Sequence, residues 1–363
     1  MKTPTILIMG GGTGGHVFPG LAVANYLKEL GWHVVWLGTQ AGMELKIVPQ
    51  HGYETETISF SGLRGKQLTA WFMLPLRLIK AFLQSIRIIR RIKPDVILGM
   101  GGYPAFPGGM MACLLNKPLI IHEQNSVPGL TNKILAKLAD KVMLGFPDTV
   151  LADKEKVVFS GNPVRSEITR METPEKRFLG RQGKLKLLVV GGSLGAQTLN
   201  TVVPRALELM PENLRPTVVH QAGILHLESV EKAYAELHIE GELVAFIDDM
   251  AKRYTICDLV LCRAGALTIA ELSAAGIASI LVPYPHAVDD HQTSNAQFLV
   301  SQGAALLIPE NELTAQKLAE LLSNLMREKL LNMAITARNL AKPEATRIVA
   351  ETCIELSGVL HEA

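Results

Sequence analysis

Twice in this chain a short apolar run stops at a cluster of glycines and passes directly into a helical pattern. The first instance is Thr5 to Met9, then GGGTGGHVFPG (Gly10 to Gly20), then Leu21 to Leu30. The second is Leu185 to Val190, followed by Gly191, Gly192, Ser193, Leu194 and Gly195. A strand that ends on such a turn gathers free backbone N–H groups at the positive end of a helix dipole, which suits an anion such as a diphosphate. Two copies predict two Rossmann-like domains in tandem.

The rest of the chain keeps the same rhythm. Strand-like runs fall at Val34 to Leu37, Asp95 to Leu98, Leu119 to His122, Lys141 to Leu144, Thr217 to His220, Leu243 to Ala245, Leu259 to Cys262, Ser279 to Val282 and Ala305 to Ile308, with helical patterns between them. Short continuous apolar strands of this kind belong to parallel sheets covered on both faces, so the class is α/β, doubly wound. At 363 residues the chain also exceeds the size of a usual single core. The polar, strand-poor stretch Arg165 to Lys184 is the expected linker. Domains are therefore expected at 1–164 and 165–342, with a last helix at 343–363 packing back on the first. In open α/β sheets ligands bind at strand C-terminal ends, so the glycine turns of the two domains are expected to face each other across a cleft.

Composition removes some classes of function. The balance of 36 basic against 34 acidic residues and the 5% aromatic content give no signal for nucleic acid. The four cysteines form no C-x-x-C pair, so buried thiols in a reducing compartment are expected and no metal site. Met1 runs into a strand without a signal-peptide pattern, and a cytoplasmic chain is the expectation.

Gly10, Gly12 and Gly15 also satisfy the dinucleotide-binding pattern G-x-G-x-x-G. That site needs an acid at the end of the second strand, where Leu37, Gly38, Thr39 and Gln40 offer none. The nearest carboxylate, Glu44, lies in the next segment, which counts against a nicotinamide cofactor. His16 sits inside the turn.

From Thr57 to Pro94 the chain carries eight Lys or Arg and no Asp or Glu. Trp71, Phe72, Leu78, Ile79 and Phe82 alternate there with Arg77, Lys80, Arg87, Arg90 and Arg91. The uncharged run is too short for a membrane span. Either the stretch lies on an anionic membrane surface, or it is a crossover helix whose solvated face is basic. Further on, GMGGYPAFPGG (Gly99 to Gly109) and the polar quartet His122, Glu123, Gln124, Asn125 both follow strands. In the second half Asp248 and Asp249 are adjacent and would point apart, which argues against a metal there. CRAGALTIAEL (Cys262 to Leu272) opens a helix near Gly265 and brings Glu271 round beyond the first turn, where it could meet ribose hydroxyls but not a phosphate at the helix start.

Together GGGTGGHVFPG, SGLRGK, GMGGYPAFPGG, HEQN, GNPVR, GGSLGAQ, FIDDM and CRAGALTIAE resemble the bacterial transferases of the B-type glycosyltransferase fold that carry N-acetylglucosamine from UDP-GlcNAc to undecaprenyl-diphospho-muramoyl-pentapeptide. The resemblance runs in order from about Gly10 to about Asn295. It implies a UDP-GlcNAc-binding second domain and a first domain for the lipid-linked acceptor. Donor contacts are implied at Arg165, Ser193, the Ile247 backbone, the helix start Ala266, Leu267, Thr268, Ile269 and Ala270, then Glu271 and Gln292. Thr13, Gly14, Gly15 and Asn125 would complete them from the first domain. Gly12, Gly101, Gly102 and Tyr103 are expected at the acceptor diphosphate, and His16 as the base. No cofactor is expected. With such an acceptor, Trp71, Phe72, Leu78, Ile79 and Phe82 become a membrane-docking face. The enzyme would sit peripherally on the cytoplasmic face of the bacterial inner membrane, with cell-wall and division proteins as further partners. Two departures from the family pattern stand out: His291 precedes Gln292 where relatives tend to show a Gln pair, and Ala264 stands where some carry Ser. The rival readings are a UDP-sugar 2-epimerase and a nucleotide-sugar-binding scaffold without catalysis.

Overall fold

The apolar runs become parallel strands because they pair side by side in sheets whose faces are covered by helices. The computed structural model describes residues 3–61, 73–192 and 195–359. The chain divides into two units, Met1–Arg165 with Lys342–Ala363, and Ser166–Ala341.

In the first unit the strands are β1 (Thr5–Gly10), β2 (His33–Thr39), β3 (Glu54–Ile58), β4 (Val96–Gly101), β5 (Leu119–Glu123), β6 (Lys141–Leu144) and β7 (Val157–Phe159), in the order β3-β2-β1-β4-β5-β6-β7. The second unit carries β8 (Lys186–Val190), β9 (Thr217–Gln221), β10 (Glu242–Val244), β11 (Leu259–Cys262), β12 (Ser279–Leu281) and β13 (Ala305–Leu307), ordered β10-β9-β8-β11-β12-β13. Both are doubly wound, with switch points at β1/β4 and β8/β11, the places where such sheets bind ligands. Each of the two glycine turns follows the first strand of its sheet and therefore sits at a switch point. Two strands have no counterpart among the sequence expectations. β3 reads ETETI, polar at alternate positions, and β7 is three residues long; both lie at sheet edges, where burial writes the weakest pattern.

One face of the first sheet packs Ile6, Ile8, Trp36 and Leu98 against Leu21 and Ala24 of α1 (Gly14–Glu29) and against Val349, Ala350 and Cys353 of the last helix, Ala345–Ser357. Residues 342–363 thus belong to the first unit. The other face packs Leu7, Met9, Leu37 and Ile97 on the helices Leu74–Ile92, Ala105–Leu114 and Leu130–Leu135. The helix Leu74–Ile92 has Pro75 in its first turn, where a missing N–H costs nothing, and stops at Lys93 in the left-handed region just before Pro94.

The stretch expected as a linker folds into the second unit. It forms the short helices Ser166–Thr169 and Pro174–Phe178, and the buried Arg177 guanidinium donates to the carbonyls of Tyr254, Ala275 and Gly276. Burial lowers the Arg177 pKa to about 10.

Candidate functional site

The ligand end of the first sheet is built from two glycine turns pressed together. Gly12 and Gly102 adopt φ of +86° and +76°, which glycine takes without steric cost. The register between β1 and β4 slips between Met9 and Gly10, so that Gly10 pairs with Gly101. A side chain at Gly102 would land on the Gly11 carbonyl, and one at Gly101 would press on the His16 ring. Trp36 Nε1–H holds the Gly10 carbonyl at 2.9 Å from below. Thr13 is the extended N-cap of α1, which leaves the Gly14 and Gly15 N–H groups without partners inside the helix. His16, in that first turn, places Nδ1 3.1 Å from the Gly11 carbonyl and 3.2 Å from Thr13 Oγ1.

Glu44 corrects the reading of this turn. It opens the helix Glu44–Gln50, yet its fully buried carboxylate reaches back to the end of β2. There it accepts from Thr39 N–H at 2.9 Å, Thr39 Oγ1 at 3.0 Å and Gly12 N–H at 3.2 Å. An acid does stand at the end of the second strand, but its oxygens serve the chain's own groups rather than a ribose. The Gly12 amide, expected at the acceptor diphosphate, already donates to Glu44, so an anion at this turn is left the amides that follow it. Tyr103 lies over Gly12 and its hydroxyl is 3.3 Å from Thr39 Oγ1.

Behind these turns the polar quartet after β5 is a buried network. His122 Nε2 is 3.0 Å from the Gly161 carbonyl, and Gln124 Nε2 is 3.1 Å from His122 Nδ1. Nε2 therefore donates and Nδ1 accepts, a neutral ring, in keeping with a pKa lowered to about 4 by burial. Glu123 accepts from the N–H groups of Asn125 and Gly129 and from Asn132 Nδ2. His122, Glu123 and Gln124 are at most 2% exposed. Of the four, only Asn125 is half-exposed. Asn132, which the sequence did not single out, ties β5 to the neighbourhood of His16: its Nδ2 and His16 Nε2 both flank Gly101. Arg165 is half-buried at the end of this unit.

The ligand end of the second sheet repeats the plan. Gly192 and Gly195 have positive φ, and a side chain at Gly195 would meet the Ala222 carbonyl. Ser193, the expected contact in this turn, lies outside the described residues. Gln221, at the end of β9, donates to the Gly192 carbonyl at 2.9 Å and accepts the Ile247 N–H at 3.1 Å. The Ile247 amide expected for a base is thus held by Gln221, leaving its carbonyl as the backbone group to offer. The helix Ala266–Ala275 starts after the extended Gly265, which leaves the first-turn amides of Ala266, Leu267 and Thr268 without partners inside the helix. Ile269 returns its N–H to the Gly265 carbonyl and buries its side chain, while Ala270 and Glu271 are half-buried. Gln292 Oε1 accepts from the amides of Ala264 and Tyr284 at 3.2 and 2.9 Å, so the groups it has left for a sugar are the amide hydrogens. Its neighbour His291 is half-exposed. Arg263, another residue missed in the sequence, pairs with Glu310 and lies 5.4 Å from the Tyr284 ring centre. Buried Asn295 holds the Ala264 carbonyl.

The basic stretch has an apolar face of its own. Met73, the N-cap of the helix Leu74–Ile92, and Leu76, Ile79 and Leu83 on it are 48 to 61% exposed, spaced three or four residues apart. Of the residues expected there, Ile79 is on this face. Leu78 and Phe82 are half-buried, and Phe82 turns inward to Phe106 at 6.2 Å between ring centres, because it lies on the stripe that meets the core. Trp71 and Phe72 lie outside the described residues. Leu130 and Ile134 are exposed beside Lys133 on another helix of the same sheet face. Among the described residues no helix is long and apolar enough to cross a membrane.

Two doubly wound sheets, each with a glycine turn and helix start at its switch point, define the B-type fold of glycosyltransferases that use sugar nucleotides. Residues 6–144 match the N-terminal domain of glycosyltransferase family 28 and residues 186–351 its C-terminal domain. A protein of Nitrosospira multiformis, 63% identical over 98% of this chain and 99% of its own length, is named UDP-N-acetylglucosamine--N-acetylmuramyl-(pentapeptide) pyrophosphoryl-undecaprenol N-acetylglucosamine transferase. One from Nitrosomonas europaea with the same name is 59% identical over 98% of this chain and all of its own. The crystal structure of Acinetobacter baumannii MurG superposes with a TM-score of 0.84 at 38% identity, over 97% of this chain and 99% of the other. The chain belongs to glycosyltransferase family 28 and, within it, to the family of these transferases.

Proposed function

We infer that this chain transfers N-acetylglucosamine from UDP-GlcNAc to the C4 hydroxyl of undecaprenyl-diphospho-MurNAc-pentapeptide, the step from lipid I to lipid II in peptidoglycan synthesis. The observation that carries the inference is 63% identity over essentially the whole length of a relative bearing that name. The second sheet's ligand end receives the donor. Its diphosphate meets the Ala266, Leu267 and Thr268 amides, and Glu271, one turn on, takes the ribose hydroxyls. Gln292 offers its amide hydrogens to the sugar. The first sheet's ligand end receives the acceptor, with the Gly14 and Gly15 amides, Gly101, Gly102 and Tyr103 around the diphosphate.

In the reaction the C4 oxygen forms a bond to the anomeric carbon while the bond from that carbon to the β-phosphate oxygen breaks, inverting the centre. UDP leaves with the electron pair, and the hydroxyl proton passes to His16 Nε2. Helix-start amides and Arg165 meet the negative charge that develops on UDP. Replacing His16 by Ala should lower turnover roughly 100-fold or more; an unchanged maximal rate would remove it from the role. Because the acceptor's polyprenyl tail holds it in a bilayer, the exposed Leu76, Ile79 and Leu83 with Lys80 and Arg87 form the face that meets anionic lipid, placing the enzyme peripherally on the cytoplasmic side of the inner membrane. Neither an epimerase nor a non-catalytic scaffold is favoured by relatives named for this transfer. One assay separates the three: radiolabelled UDP-GlcNAc with lipid-linked muramoyl-pentapeptide gives label in the lipid phase, an epimer, or neither.

A further inference from the structure

We propose that Glu44 is a positioning residue for His16, acting through the Gly11–Gly12 peptide. The proposal rests on His16 as the base. That peptide is bonded at both ends: its N–H, on Gly12, donates to Glu44 Oε2 at 3.2 Å, and its C=O, on Gly11, lies 3.1 Å from His16 Nδ1. A carbonyl can only accept, so Nδ1 carries the proton there and Nε2 of the neutral ring keeps the lone pair that a base needs. A buried carboxylate pulling on the N–H enriches the carbonyl at the other end, since hydrogen bonds in series polarise one another. Glu44 thus holds the tautomer of His16 across one peptide, much as a carboxylate in direct contact orients a catalytic histidine.

The surroundings are shaped around that relay. Side chains at Gly11, Gly38 or Gly42 would each collide with the Glu44 carboxyl, so three glycines close over it. Thr39 fills the carboxylate's other oxygen with two bonds, which fixes its rotation and leaves Oε2 directed at Gly12. Gly102 must lack a side chain for the Gly11 carbonyl to reach the imidazole at all.

Two measurements test the assignment. In the wild-type protein, nitrogen-15 spectra of the imidazoles should show neutral His16 as the Nδ1–H tautomer; the Nε2–H tautomer would overturn the proposal without any variant. For turnover, Glu44→Gln keeps the shape and removes the charge. It should lower kcat about tenfold or more while the KM for UDP-GlcNAc stays put. In a His16→Ala background the same substitution should cost less than about twofold, because its effect runs through the imidazole. Losses that multiply in the double variant would make Glu44 merely structural. A wild-type chain that puts no label into lipid would instead refute the transferase reading, leaving the tautomer result standing.

Discussion

Two buried histidines, one in each unit, couple the fold to pH. His122 and His220 both have pKa values lowered from 6.5 to about 4 by burial. His220 is held neutral between the Tyr234 hydroxyl and Asn200 Oδ1. The unfolded chain takes up a proton below about pH 6.5 that the folded chain refuses until about pH 4. Stability from each group is therefore complete above 6.5 and lost as pH falls towards 4, by about 3 kcal/mol per histidine over the whole window. Urea unfolding at pH 7.5 and 5 should show the midpoint falling, and His220→Gln should fall less steeply than the wild type; equal slopes would refute the account. Glycine positions give a second expectation at this scale. Gly102→Ala, with its side chain on the Gly11 carbonyl, should reduce turnover well over tenfold while UDP binding, proposed at the second sheet, is largely unchanged. Isothermal titration with UDP alongside the rate assay checks both halves.

Strands and helix starts were legible in the sequence because burial on both faces writes continuous apolar runs, and Gly12 and Gly192 mark turns that favour glycine. What stayed hidden were partners joined only by folding. Glu44 reads as an ordinary helix residue until the chain brings it under the first glycine turn, and Gln221 looks like the end of a strand until it grips Gly192 and Ile247. The basic helix Leu74–Ile92 shows the same limit. Its amphipathic character was visible, but which stripe faces outward depends on where the sheet lies, and Phe82 falls on the inner one. Leu76, Ile79 and Leu83 changed together to Ser should cut sedimentation with vesicles rich in anionic lipid severalfold, while transfer to a water-soluble acceptor analogue is unaffected. Undiminished sedimentation would send the search to Leu130 and Ile134.

The whole molecule is organised by a return of the chain. It leaves the first unit after Arg165, builds the second through Ala341, and comes back with Lys342 to lay the helix Ala345–Ser357 beside α1. Truncation at Ala341 should uncover Val349's site on the first sheet and destabilise that unit by roughly 3 kcal/mol or more, with the UDP affinity proposed for the second unit intact. Differential hydrogen exchange of the two sheets reads this directly. For a chain made from its N-terminus the return also sets a schedule. The unit that carries His16 is the first to be begun and the last to be finished, since its closing helix leaves the ribosome only after every strand of the other sheet has been made. A half-translated product therefore holds a sheet with part of one face uncovered beside α1.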